Sequence, residues 1–252
     1  MGIPGLTSVT FRALPAERVA KLCAAAGLAA IEWGGDVHVP PGDEQAARAA
    51  RAVCQSLGLL IGSYGSYYRA GQPIGELARC LDAAAALGAP IVRIWAGQAG
   101  SADVDPGERA RLVDCLLRCA EIAEARSIRL GLEYHGGTLT DCRDSVRALA
   151  RETAGAADWL RFYWQPRWDW PETERLESLG DVRDRLAHIH AFTWAHRAGA
   201  IDRLPLAAGE STWRAALRGL PADQMVLLEF VEGDSEQALL RDAAALRRLM
   251  DM

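Results

Sequence analysis

A carboxylate and an imidazole stand at the end of an apolar run near the middle of the chain, in the stretch RLGLEYHGGTLTD that begins at Arg129. Glu133 ends the run, and His135 follows two residues later. An apolar run of this length bounded by turn residues is typical of a buried strand. A charge where such a strand surfaces is costly to bury alone, so Glu133 needs a counter-charge, a metal ion or a catalytic role.

Polar side chains also end three later apolar runs, at Gln165, His190 and Glu229. Together with Glu133 they offer two carboxylates, one imidazole and one amide oxygen, which suit Mn²⁺, Mg²⁺, Co²⁺ or Zn²⁺ better than a thiolate-preferring metal. Two neighbouring carboxylates repel each other unless a cation lies between them. We therefore predict a divalent metal site with these four residues as ligands.

The same two carboxylates permit proton transfer. With a metal-bound hydroxy-ketone between them, Glu133 and Glu229 could remove a proton from one face of a carbon atom and return it at the other. The metal would polarise the carbonyl group and stabilise an enediolate. We predict that the protein is an enzyme and that both glutamates are catalytic. The alternative for each isolated glutamate is an ion pair with an arginine, because every basic residue except Lys21 is an arginine.

The elements that must position these residues alternate along the whole chain. Eight apolar runs fit strands, and each is followed by a helical pattern that often ends at a glycine, such as Gly58 or Gly88. Such alternation favours parallel pairing through right-handed crossovers, and eight units fill 252 residues. The predicted strands are residues 6–12, 28–33, 59–64, 91–96, 128–134, 160–165, 186–192 and 225–231. The sequence therefore predicts a single-domain α/β protein, residues 1–252, folded as a (β/α)8 TIM barrel.

The barrel places the proposed ligands together, because chemistry in this fold lies at the C-terminal ends of the strands. Strands five to eight are consecutive and share one side of the barrel mouth. His188 precedes His190 by two residues, and we interpret it as a structural residue that faces the helices. Between the seventh and eighth strands we predict a long loop with a short helix near residues 213–217, and Asp234 as the cap of the last helix.

Further polar and aromatic residues follow the predicted strands and are candidates for substrate contact. Aromatic rings at a barrel mouth often bind the apolar face of a sugar, although the same rings also serve plain packing. The candidates are Asp36, His38, Tyr64, Trp95, His135, Trp168 and Arg203.

Composition narrows the class of protein. The formal net charge is −5, which argues against nucleic acid or an anionic membrane as partner. No apolar run reaches the roughly 18 residues that a membrane span needs, and no basic-led apolar leader opens the chain. The six cysteines lack metal-type spacing and are expected to be free thiols. We expect a cytoplasmic monomer or homodimer that acts on a small-molecule carbohydrate.

At these residues the chain resembles the xylose isomerase-like TIM barrel family of sugar and sugar phosphate isomerases and epimerases. The resemblance covers essentially the whole chain and is carried by AAIEWGGDVHVPPGD, LGLEYHGGTLTD, LAHIHAFTW and VLLEFVEG. It implies a divalent metal held by Glu, Asp, His and Glu on strands five to eight. Glu133, His190 and Glu229 match this pattern, whereas the Asp-x-x-His of strand six is replaced by Gln165-Pro166-Arg167-Trp168.

The resemblance implies a sugar, sugar phosphate or keto-polyol isomerase or epimerase that works through an enediolate. Gln165 can still ligate through its carbonyl oxygen, but it removes one negative charge from the site. Two alternatives stay open: a metal-dependent dehydratase or lyase on a keto-sugar or inosose, and a barrel that binds a sugar without turning it over.

Overall fold

Eight parallel strands close into a barrel in the computed structural model, which describes residues 2–197 and 200–251. Strand β1 pairs with both β2 and β10, so the first and last barrel strands close the sheet. The barrel strands are β1 (Ile3–Thr7), β2 (Ala30–Gly34), β3 (Leu60–Arg69), β4 (Ile91–Trp95), β5 (Arg129–Glu133), β6 (Leu160–Trp164), β7 (Leu186–Ala191) and β10 (Met225–Leu228). The predicted (β/α)8 barrel is confirmed.

Eight α-helices surround this sheet. They are α1 (Ala16–Ala25), α2 (Glu44–Leu57), α3 (Ile74–Leu87), α4 (Pro106–Glu124), α5 (Arg143–Glu152), α6 (Glu172–Gly180), α7 (Glu210–Leu217) and α8 (Glu236–Met250). Left-handed glycines end α2 and α3 at Gly58 and Gly88, where φ is 67° and 84°. The described residues contain no helix with the length and apolar character needed to cross a membrane. All six cysteines are free.

Three sequence-based expectations about elements are wrong. The first strand covers Ile3–Thr7 instead of residues 6–12, because residues 8–11 form a buried 3₁₀ turn. The predicted short helix before the last strand is present as α7, but the segment expected to be a long loop also contains an antiparallel hairpin of β8 (Thr193–Arg197) and β9 (Ala200–Leu204). The cap of α8 is Ser235, whose side chain accepts from the amide of Ala238, and not Asp234.

Candidate metal centre

Five charged or titratable side chains meet inside the upper part of the barrel. Each is at most 6% exposed, and each stands on or directly after a different barrel strand. They are Glu32 on β2, Arg93 on β4, Glu133 on β5, His190 on β7 and Glu229 after β10. Because alternate residues of a strand point to opposite faces, one inward residue per strand is enough to build the cluster.

Three of the four predicted ligands are brought together. Glu133, His190 and Glu229 each offer one ligand atom, and these atoms lie within 4.8 Å of one another. The Nδ1 atom of His190 lies 3.4 Å from Oε1 of Glu133 and 3.5 Å from Oε2 of Glu229. Neither ring nitrogen of His190 has a hydrogen-bond partner among the described residues. Two carboxylates around an open imidazole nitrogen fit a divalent cation.

Gln165, the fourth predicted ligand, follows β6 and is half-buried. Its Nε2 donates to the carbonyl oxygen of Tyr134 at 2.7 Å, which fixes the amide group. Its Oε1 is buried and finds no hydrogen-bond partner in the described part of the chain. A buried amide oxygen without a donor is costly, so it is a fitting atom for a cation or a substrate hydroxyl.

Two members of the cluster, Glu32 and Arg93, were missed by the sequence reasoning. The guanidinium of Arg93 bonds Oε2 of Glu133 through Nη1, and its Nε lies 3.5 Å from Oε1 of Glu32. Glu32 in turn lies 3.3 Å from Nε2 of His190 and accepts from Ser63 at 2.7 Å. The available signal was a charge in the middle of an apolar strand, in AIEWG and IVRIW, where we considered only strand ends.

The surroundings give the three carboxylates different acidities. Burial opposes ionisation of Glu32, but His190 and Arg93 outweigh it and lower the pKa of Glu32 to about 2. Burial also opposes ionisation of Glu133, and Arg93 and His190 hold its pKa well below the usual range. Burial raises the pKa of Glu229 to about 7, and the neighbouring Glu133 charge adds to the rise. Without a cation, Glu229 is therefore the carboxylate of the three that holds a proton most readily.

Three members of the cluster line a cavity of about 440 Å³ at the C-terminal mouth of the barrel. Arg93, Glu133, Gln165 and Glu229 face this cavity. Aromatic rings make up much of its wall, among them Tyr67, Trp95, Trp168, Phe192, Trp194 and Phe230. Cavities of this size with an apolar wall and a few convergent polar groups take small molecules.

Three of the predicted substrate contacts line the cavity. The ring of Trp95 lies 4.6 Å from that of His135, and the indole nitrogen of Trp95 donates to Oε2 of Glu133 at 2.5 Å. Trp168 donates from its indole nitrogen to the carbonyl oxygen of Phe192 at 2.9 Å, which leaves its ring at the wall. Asp36 lies behind the wall, where it accepts from Arg12 at 2.5 Å and from Tyr67 at 3.1 Å.

The other three candidates lie away from the central cavity. His38 is buried with both ring nitrogens engaged, 3.0 Å from Oγ of Ser8 and 3.0 Å from the carbonyl oxygen of Leu14. Tyr64 is fully buried and donates to the carbonyl oxygen of Val39 at 2.8 Å. Arg203 pairs with Asp234 and lies over the ring of Phe230, 4.7 Å from its centroid.

The expected orientation of His188 is wrong. Residues i and i+2 of a strand point to the same face, so His188 and His190 both point into the barrel. Their rings lie 5.3 and 5.2 Å from the ring of Tyr163, a buried residue of β6. Nε2 of His188 lies 3.1 Å from the carbonyl oxygen of Gly62, one layer away from the carboxylates. This contact with a backbone carbonyl agrees with a structural role for His188, whereas the prediction that His188 faces the helices is wrong.

Comparison with known proteins places these features in context. The family model described as xylose isomerase-like TIM barrel matches residues 20–249. No curated protein sequence matches the chain. Among solved structures it is similar to the probable 3-DHS dehydratase AsbF of Bacillus anthracis, with 18% identity, a TM-score of 0.82 and coverage of 98% of this chain and 99% of that chain.

Two further structures are similar at comparable coverage. A D-allulose 3-epimerase from Methylomonas sp. has 16% identity and a TM-score of 0.73, and the alignment covers 98% of this chain and 97% of that chain. A xylose isomerase-like TIM barrel protein from Mycobacterium smegmatis in complex with magnesium has 18% identity and a TM-score of 0.72, over 98% and 96% of the two chains. At these identities the likeness concerns the fold.

Proposed function

The chain belongs to the xylose isomerase-like TIM barrel family, and from this membership we propose that it is a divalent-metal-dependent sugar isomerase or epimerase acting through an enediolate. The observation that carries the proposal is that one ligand atom each of Glu133, His190 and Glu229 lie within 4.8 Å of one another, and that Glu133 and Glu229 also line a cavity of small-molecule size. The neutral amide oxygen of Gln165 is the proposed fourth ligand atom. We propose a keto-sugar or keto-polyol as substrate.

The side chains that line the cavity would have separate roles in the proposed reaction. When bound, the cation would polarise the substrate carbonyl and stabilise negative charge on its oxygen. In an isomerisation, Glu229 would take the proton from the hydroxyl-bearing carbon next to the carbonyl and return it to the carbonyl carbon, while the hydroxyl proton passes to the carbonyl oxygen. In an epimerisation, Glu133 would have to supply the proton at the opposite face of the carbon. Glu133, which is ionised and accepts hydrogen bonds from Arg93 and Trp95, would bind the cation as an anionic ligand of fixed orientation. Trp95, His135 and Trp168 hold the ring and hydroxyl groups of the substrate.

A dehydratase is the second candidate, and the unequal carboxylates favour it. Oε2 of Glu133 already accepts from Arg93 and Trp95, so Glu229 is the better proton acceptor. Epimerisation needs acceptors on two faces of a carbon, whereas elimination needs one. Glu229 would take the proton from the carbon beside the carbonyl, and the C–O bond of the next carbon would break as a carbon–carbon double bond forms between the two carbons. His135 would donate the proton that converts the leaving hydroxyl into water.

Metal analysis of protein purified without chelator tests the metal site. We expect one divalent cation per chain, or a rise in the unfolding temperature when Mn²⁺ or Co²⁺ is added, because a ligand that binds only the folded state stabilises it. His190→Gln should abolish the shift. His188→Gln is the matched control, since it changes a buried histidine of the same strand that lies outside the ligand set. Equal shifts in both variants would remove His190 from the metal site.

Solvent-deuterium incorporation into ketoses, aldoses and inososes, followed by NMR, tests the reaction. Exchange next to the carbonyl or a new epimer is expected for an isomerase, and loss of water for a dehydratase. Glu229→Gln should slow either reaction by about a hundredfold or more. Binding without exchange or turnover across the panel would contradict the enzyme and leave a sugar-binding barrel.

A further inference from the structure

The two oxygens of Glu133 have different surroundings. Oε1 faces the cluster centre and lies 3.4 Å from Nδ1 of His190. Oε2 accepts from Nη1 of Arg93 and from the indole nitrogen of Trp95. Oε2 is therefore occupied by hydrogen bonds within the protein, and Oε1 faces the position where the cation would bind.

Arg93 is buried and contacts several groups of the cluster, and its contact with Glu32 is an ion pair, since its Nε has no hydrogen-bond partner among the described residues. Its side chain is 5% exposed, and its Nε lies 3.5 Å from Oε1 of Glu32, whose other oxygen accepts from Ser63. The guanidinium group also faces the rings of Tyr67 and Trp95, at 5.7 and 5.5 Å. A rigid planar fork fixed at several points can set the direction of a carboxylate in a way that a flexible ammonium group cannot.

The charges of the cluster match a divalent cation. With a cation bound, Glu229 would be ionised and His190 neutral, so that the three glutamates would carry three negative charges and Arg93 one positive charge, which leaves two negative charges for the cation. Glu32 neutralises the charge of Arg93 and also lies 3.3 Å from Nε2 of His190, so a guanidinium can lie beside Glu133 without lowering the net negative charge available to the cation. The Glu32–Arg93 pair can therefore orient Glu133 without changing the net charge of the cluster.

We propose that Arg93, anchored by Glu32, is a positioning residue that turns Glu133 so that Oε1 alone is presented to the cation. The inference rests on the proposed metal site and adds two residues, Glu32 and Arg93, to its outer layer. Groups that orient metal ligands typically change metal affinity by about 10- to 100-fold when removed. We expect Arg93 to act in this range.

Arg93→Lys is the first test, measured as the dissociation constant for Mn²⁺ by titration at a temperature where the protein is fully folded. The variant keeps the positive charge but loses the fork that spans Glu32 and Glu133, and we expect about tenfold weaker binding. If Arg93 contributed charge alone, Arg93→Lys would bind like the parent protein and Arg93→Met would bind more tightly. Either result would overturn the proposal.

The double variant Glu32→Gln/Arg93→Met is a second test of whether Mn²⁺ affinity depends on the orientation of Glu133 or on the net charge of the cluster. It removes one negative and one positive charge, so the net charge of the cluster is unchanged, yet Glu133 loses its anchor. We expect binding at least about tenfold weaker than in the parent protein. Parent-like affinity would contradict the proposal.

Arg185→Met is the matched control for loss of a partly buried arginine. Arg185 donates to the backbone carbonyl oxygen of Ala150 at 2.7 Å and to that of Leu160, at the opposite end of the barrel from the cluster. We expect a lower unfolding temperature and an unchanged Mn²⁺ affinity. If the parent protein bound no divalent cation, the proposed function itself would fail; if the parent bound Mn²⁺ and Arg93→Lys bound it equally well, only the role of Arg93 would fail.

Discussion

In the proposed metal centre, Gln165 would determine how strongly the ligand set attracts a cation. Its amide replaces a carboxylate that the family resemblance leads us to expect on strand six, so the ligand set carries two negative charges instead of three. The amide is fixed by its bond to the carbonyl oxygen of Tyr134, and its own oxygen is left free of donors. A neutral ligand that is already oriented costs little entropy to use, which partly offsets the missing charge.

Restoring the carboxylate should strengthen metal binding. We expect Gln165→Asp to lower the Mn²⁺ dissociation constant by about tenfold, or about 1.4 kcal/mol, because affinity for hard cations rises with ligand charge. Gln165→Leu has a similar size and no oxygen, and it should weaken binding by a similar factor. If Gln165→Leu bound Mn²⁺ like the parent protein, Gln165 would not be a ligand.

The sequence predicted some residues of the site and missed others for a physical reason. Glu133, His190 and Glu229 each end or follow an apolar run, so the barrel rule alone brings them to one mouth. Glu32 and Arg93 lie inside their strands, where the sequence shows a charge but not its partner. Their pairing joins strands β2 and β4, which lie on either side of β3, and no local sequence pattern contains that information.

Strand β3 illustrates how an element is shaped to hold the cluster. Its pairing with β4 shifts between Gly65 and Arg69, and this irregularity carries the strand beyond the barrel so that Tyr67 reaches the cavity wall. Gly65 faces the charged cluster: a Cβ atom there would lie 2.8 Å from Oε1 of Glu32 and 3.1 Å from Nη2 of Arg93. The missing side chain makes room for the buried ion pair.

Adding one methyl group at this position should therefore be costly. We expect Gly65→Ala to lower the free energy of unfolding by about 1–3 kcal/mol, because both contacted groups are locked by other bonds. Gly62→Ala is the control on the same strand, since its Cβ would meet Sδ of Met225 at 2.7 Å, an atom of a flexible side chain. Urea unfolding measures both. An equal decrease in the free energy of unfolding in the two variants would mean that the Glu32–Arg93 ion pair moves aside as easily as the Met225 side chain.

The hairpin of β8 and β9 was the element least visible in the sequence. Its strands are five residues each and partly exposed, so neither forms the apolar run by which the barrel strands were recognised. It nevertheless brings Trp194 and Ile201 to the cavity. Hydrophobic periodicity in a sequence reveals a strand only when the strand is well buried. A hairpin that packs one face over a cavity has too few buried apolar residues to be recognised in this way.

At the scale of the molecule, alternation of patterns was enough to predict the barrel, because eight repeated units constrain one another. The helix boundaries at α2 and α3 agree with the predicted ones, since a glycine ends each helix. What the alternation could not supply was the exact strand register, which the closed sheet fixes through contacts between β1 and β10 that are distant in sequence.

The barrel also makes a prediction about alkaline pH. Burial raises the pKa of all five tyrosines, namely Tyr64, Tyr67, Tyr68, Tyr134 and Tyr163. An unfolded chain ionises its tyrosines near pH 10. Because the folded state keeps these phenols protonated, their contribution to stability is fully present below about pH 10 and is lost as the pH rises above it.

Tyrosinate absorbance and near-ultraviolet circular dichroism, followed together during an alkaline titration, check this prediction. We expect tyrosinate to appear together with the loss of tertiary structure. Ionisation of most tyrosines near pH 10 with an unchanged dichroism spectrum would contradict it.

The closure of the sheet has a consequence for synthesis on the ribosome. A nascent chain that has reached the end of β7 already contains Glu32, Arg93, Glu133 and His190, but it lacks β10 and Glu229. Strand β1 then has only one of its two neighbours, and the mouth stays open along one side. The last carboxylate arrives with the strand that seals the barrel. The complete set of proposed metal ligands would thus come together only in a chain whose final barrel strand has been translated and paired.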